Sequence, residues 1–150
     1  MSSVRPIPEG YHSLTPYLIA RDASRAIEFY QATLGARERL RMPAPGGRVG
    51  HAELQIGDSI LMLADEHPEM GYMAPEGGGH SVSLLLYVED VDTTAGRFTA
   101  AGAKTLRPLT DQFYGDRTGT FEDPFGHIWT LATHIEDVSA EEMQRRMQAA

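Results

Sequence analysis

The sequence predicts an α+β fold. Two tandem βαβββ modules form a cup-shaped mixed sheet with helices outside, followed by a short C-terminal helix. Three observations predict it. A G-x-x-E-x-x-x-G skeleton at Gly50–Gly57 recurs at Gly119–Gly126. A helix pattern opened by Asp22 and stopped by Gly35 is repeated by one opened by Asp90 and stopped by Gly102. Around each helix, apolar and polar residues alternate with the period of strands. A repeat of whole supersecondary units says more about architecture than any single motif.

The elements follow in order. L-T-P-Y-L-I-A, ending at Ala20, reads as a strand. Asp22 suits a helix N-cap, and Ile27, Tyr30 and Leu34 recur at helical spacing before Gly35. Ala36–Met42 is a second strand, with Arg37, Arg39 and Arg41 on the wet side of a sheet edge. P-A-P-G-G is a turn, Val49–Ile56 alternates as a third strand, and G-D-S turns the chain into a fourth at Ile60–Leu63. The pattern then lapses into a Gly- and Pro-rich stretch, long enough to suggest a linker, a lid or a pocket wall. It restarts with S-L-L-L-Y-V, the second helix, Ala103–Leu109, a short strand at Gly119–Glu122, the turn D-P-F-G, and Ile128–Thr133. Ser139 with Glu142 forms a capping box for a last helix carrying Met143 and Met147. The expected organisation is a tail over 1–13, a first module over 14–64, a linker or lid loop over 65–81, a second module over 82–134 and a helical C-terminus over 135–150. Each module alone exposes one sheet face. Joining the two is expected to close that side into the cup.

Composition narrows the function classes. A chain of 150 residues with 41% hydrophobic content suits one domain or two small modules with a real core. The formal charge of -8, from 21 acidic against 13 basic residues, disfavours nucleic acid as a partner. There is no cysteine, which excludes disulfides and sulfur-ligated zinc. No run approaches a membrane span and the N-terminus lacks a signal-peptide pattern, so the cytoplasm is the expected location.

Alternation also sorts the chemistry. Ala52, Leu54 and Ile56 share one face of their strand; His51, Glu53 and Gln55 share the other. Thr118, Thr120 and Glu122 take the equivalent side in the second module. An inward polar row suits a wet or ligand-filled cup, because buried polar groups need partners. His51 and Glu53 offer two metal ligands, a base, a structural hydrogen-bonded pair, or contact with a small molecule, the last preferred to the metal. The other histidines, His12, His67, His80, His127 and His134, form no helix-borne metal pattern. In Q-F-Y-G-D-R, Asp116 and Arg117 suit a structural clamp, or Arg117 holds an anionic substrate. Trp129 is expected to pack under a helix. Met62 has the parity to line the cup, and Met70, Tyr72 and Met73 can form an adaptable lid.

The stretches T-P-Y-L-I-A-R-D-A-S-R-A-I-E-F-Y-Q-A-T-L-G-A, H-A-E-L-Q-I-G-D-S-I-L-M-L-A-D-E and Y-G-D-R-T-G-T-F-E-D-P-F-G-H-I-W-T-L-A-T-H-I-E-D-V-S carry a resemblance. The chain resembles the glyoxalase/bleomycin-resistance/extradiol-dioxygenase superfamily, also called vicinal oxygen chelate, and its PhnB-like branch. The resemblance implies the paired modules, a small-molecule ligand and a homodimer. In metalloenzymes of the family, four ligands, mostly His, Glu or Gln, lie on the first and fourth strands of each module. Here those positions hold Thr15, Met62, Ser83 and Thr130. Neutral hydroxyls and a thioether are poor ligands for such an ion. The expectation is therefore a metal-independent small-molecule-binding protein without a cofactor. Its candidate ligand-binding residues are Thr15, Tyr17, His51, Glu53, Met62, Ser83, Arg117, Glu122 and Thr130. The alternatives are a metal-dependent lyase, isomerase or dioxygenase of the same superfamily, and a structural domain with a filled cup.

Overall fold

Asp22 and Asp90 begin the two main helices as the sequence predicts. Each carboxylate accepts the backbone N–H three residues on, at 3.2 Å, from Arg25 and Thr93 respectively. The computed structural model describes residues 4–149; the first three residues of the expected tail and the last residue of the expected helical C-terminus, Ala150, lie outside them. The chain divides into two compact units, Met1–Glu76 and Gly77–Ala150.

The first unit runs β1 (Tyr17–Ala20), α1 (Ala23–Leu34), β2 (Arg37–Ala44), β3 (Arg48–Ile56) and β4 (Ser59–Asp65), then a single 3-10 turn at Pro68–Met70. The second runs β5 (Leu84–Tyr87), α2 (Val91–Ala100), β6 (Lys104–Asp111), β7 (Asp116–Glu122), β8 (Ile128–His134) and α3 (Ala140–Ala149). The sheet orders match: β1-β4-β3-β2 and β5-β8-β7-β6. In each sheet the first strand pairs parallel with the last, and the other ladders are antiparallel.

Each unit buries one sheet face under its helix. Ile27 and Tyr30 of α1 are buried with Ala52, Leu54, Leu61 and Leu63. In the second unit Phe98 of α2 meets Phe121 and Trp129 edge-on, with ring centroids 6.0 and 6.2 Å apart. Trp129 therefore packs in the core beneath α2, as the sequence predicts.

The expected cup-shaped sheet is not present among the described residues. The strands form two separate four-stranded sheets, each open, with β1 and β2 or β5 and β6 as its edges. The physical reason lies in the alternation. The helix-distal face of each sheet carries polar side chains that bond to one another, so these groups are satisfied on an open sheet. The edges are managed individually. β1 and β5 have four residues each. β2 and β6 carry Pro43 and Pro108 at breaks in register.

β7 begins at Asp116 and not at Gly119, so Asp116 and Arg117 are strand residues of opposite parity. The C-terminal helix is tied to its own unit. Arg146 donates to the Phe113 carbonyl at 3.0 Å and pairs with Glu136 at 2.9 Å. Among the described residues no helix is long and apolar enough to cross a membrane.

Candidate functional site

The helix-distal face of the first sheet gathers five of the expected residues. Glu53 is the cross-strand neighbour of Met62, and Met62 of Tyr17. Thr15, Glu53 and Met62 line a surface recess beneath the N-terminal segment Pro6–Tyr11. His51 lies two residues before Glu53 on the same face.

These side chains form one hydrogen-bonded chain. The Tyr17 hydroxyl lies 2.8 Å from His51 Nδ1, and His51 Nε2 lies 2.8 Å from Glu53 Oε2. The Tyr11 hydroxyl donates to the other Glu53 oxygen. The Tyr11 hydrogen bond holds the Glu53 carboxyl below its usual range; burial opposes this and His51 assists it. An ionised Glu53 only accepts. Its His51 neighbour therefore donates to it from Nε2. Burial, with the nearby Tyr72 and Glu53, pushes the Tyr17 hydroxyl up. It thus keeps its proton at neutral pH and presents an acceptor oxygen outward.

Beside this chain is a cavity of about 260 Å³. Tyr17, Ile19, Ala44, Ala64, Met70 and Tyr72 supply its apolar walls, and Arg48, Asp65, Glu66 and His67 its polar groups. The start of the long loop makes one wall. The 3-10 turn and the His67–Tyr72 bridge fold the loop back, with Gly71 at φ 83° closing the turn. Asp65 fixes the corner. Its two oxygens accept from the backbone N–H of Ala23 at 2.8 Å and of Val49 at 2.7 Å.

The other four expected residues lie in the second unit. Thr130 bonds Thr120 across the ladder at 3.2 Å. Glu122 lies on the same face, half-buried, and Ser83 is exposed just before β5. Arg117 lies on the helix side instead. It pairs with Asp92 of α2 and with Asp111, each at 3.0 Å, and not with Asp116. Asp116 faces the other way. It accepts from Tyr87 at 2.6 Å and contacts His134 Nδ1 at 2.7 Å.

Sequence reasoning missed Tyr11, Arg48, Asp65 and the Tyr87–Asp116–His134 cluster. Tyr11 reaches Glu53 from a segment without periodicity, so no local signal pointed to it. Arg48 had one: a basic residue opening a strand straight after P-A-P-G-G.

Over residues 11–131 the chain matches the Glyoxalase/Bleomycin resistance protein/Dioxygenase superfamily. The chain belongs to this superfamily. It is 40% identical over 139 residues to an uncharacterised protein of Mycobacterium tuberculosis, covering 90% of this chain and 82% of that one. The superfamily fold recurs in the crystal structure of TioX from Micromonospora sp. ML1, at 33% identity and a TM-score of 0.64, covering 83% of this chain and 99% of that one. It recurs also in a PhnB protein of Bacillus cereus, at 20% identity and a TM-score of 0.65, covering 81% and 99%; that likeness shows the fold alone. A divalent ion of the superfamily's metalloenzymes does not fit here. The implied ligand positions offer two threonines, a serine and a thioether, and Thr130 is engaged with Thr120. Among the described residues no group of three or more His, Asp or Glu could hold an ion. His51 turns one ring nitrogen to Tyr17 and the other to Glu53, so the pair does not present a shared ligand site.

Proposed function

We propose that the protein binds a small organic molecule, without a metal ion, in the cavity of the first unit. Membership of a superfamily of small-molecule-binding proteins supports this reading. One observation carries it: a mostly apolar cavity of about 260 Å³ that includes Tyr17, whose hydroxyl is oriented by the chain through His51 and Glu53 to Tyr11. Apolar walls with a few fixed polar groups are the usual composition of a ligand site. The volume lies just under the common range of about 300–1,000 Å³, which favours a compact ligand. The Tyr17 hydroxyl, engaged with His51, offers its oxygen to the ligand.

The test is a thermal-shift screen of small aromatic and aliphatic compounds on chelator-treated protein, followed by calorimetry. A ligand at 100 times its Kd stabilises the fold by about 2.7 kcal/mol. Ala64→Phe, which fills the cavity, is expected to abolish that stabilisation. Binding that survives Ala64→Phe, or that disappears on chelation and returns with a divalent ion, would refute the proposal.

A further inference from the structure

We infer that the ligand of this cavity carries an anionic group, a carboxylate on a small apolar body, received by Arg48; the inference rests on the cavity being the binding site. Arg48 lines the cavity. Its guanidinium is held by two backbone carbonyls from different segments, Nε to Pro45 at 3.2 Å and Nη1 to Glu66 at 3.4 Å. These contacts fix the head group without neutralising it. Among the described residues no carboxylate forms an ion pair with Arg48. By contrast Arg117, the arginine that the sequence offered for an anionic substrate, is already engaged by two carboxylates.

The acidic neighbours are satisfied elsewhere. Asp65 accepts two backbone N–H groups. Glu66 accepts from Ala74 N at 3.3 Å and has Arg21 at 3.5 Å. They leave the Arg48 charge without a partner at the edge of an apolar space. A planar, forked guanidinium matches a carboxylate in geometry and charge. A second observation points to the same ligand group. His67 also lines the cavity, and its Nδ1 is buried with no hydrogen-bond partner. An unmet buried polar atom is costly, and a polar ligand group that reached it would relieve that cost. Tyr17, Met70 and Tyr72 then enclose the apolar body.

Matched acids and primary amides separate the two levels of this reading. The probes are phenylacetate, benzoate and hexanoate, each titrated beside its amide by calorimetry at fixed ionic strength. The wild-type protein is expected to bind at least one acid about tenfold or more tighter than its amide. Arg48→Gln is expected to erase that preference, bringing the affinity for each acid down to that for its amide. Arg48→Lys, which keeps the charge but not the fork, is expected to retain part of it. Circular dichroism and urea unfolding check that the variants fold. Equal affinity for acid and amide, or a preference that survives Arg48→Gln, overturns the anionic ligand. If amides bind and Ala64→Phe removes their binding, the cavity reading stands while the carboxylate inference falls. If no acid or amide responds to Ala64→Phe, both fall.

Discussion

Asp123 meets donors with both of its oxygens. Oδ1 accepts from the backbone N–H of Phe125 and of His127, each at 2.9 Å, and Oδ2 accepts from Trp129 Nε1 at 2.9 Å. The side chain is almost fully buried, at 2% exposure. Asp123 thus first holds the turn between β7 and β8, and it also orients the core tryptophan. Asp123→Asn keeps an oxygen for the two backbone donors but turns its NH₂ toward the Trp129 N–H. Two donors then face each other in the core. The expected cost is about 1–3 kcal/mol, read as a lower urea midpoint by fluorescence of the single tryptophan. An unchanged midpoint would show that the indole finds another acceptor.

At the scale of the element, the ends of β5, β7 and β8 are joined by one buried carboxylate. Asp116 accepts from Tyr87, while His134 reaches both Asp116 and, at 2.7 Å, Asp137 beyond the strand. Hydrogen bonds to Asp116 and then Asp137 raise the His134 pKa, against some desolvation. Burial pushes Asp116 up, but its bonds from Tyr87 and His134 outweigh this and hold it below the usual carboxylate range. The signs follow by linkage. The histidine contribution is fully present below its unfolded pKa of about 6.5 and is lost as pH rises through the folded value. The Asp116 contribution is present above about 3.9 and is lost as pH falls through its folded value. Wild-type stability is therefore expected to decline as pH rises above about 6.5, and His134→Gln is expected to flatten that decline. Urea midpoints across this range decide it; parallel slopes in the two proteins would remove the histidine from the account.

The same elements show what was readable in advance. Asp22, Asp90 and Gly35 mark helix ends by local chemistry, so α1 and α2 were legible. The alternation of His51–Ile56 fixed which face of β3 meets the helix. What depended on distant partners was not legible. Strand parity from Asp116 onward decides that Arg117 faces α2, and the sequence placed both residues in a loop. Tyr11 meets Glu53 only after the N-terminal segment crosses the sheet. The expected cup failed because polar side chains facing away from a helix can satisfy one another on an open sheet.

Across the whole molecule, one plan is used twice with different chemistry. At the end of the last strand of each unit, a side chain holds the start of that unit's helix. Asp65 does so in the first unit through Ala23 N, and its second oxygen takes Val49 N. Thr133 does so in the second, accepting from Val91 N at 2.9 Å while donating to the Val88 carbonyl at 2.8 Å. The two solutions are not interchangeable. Asp65→Thr replaces two acceptor oxygens with one and strands a backbone N–H in a half-buried corner. Thr133→Asp removes a donor and sets a carboxylate against the Val88 carbonyl. Each exchange is expected to destabilise the protein by about 1–3 kcal/mol, measured as a shift in urea midpoint. Hydrogen exchange is expected to place the loss at the N-terminus of α1 in the first variant and of α2 in the second. A neutral exchange in either direction would mean that the units still share one interchangeable cap, and that the difference between Asp65 and Thr133 has no structural consequence.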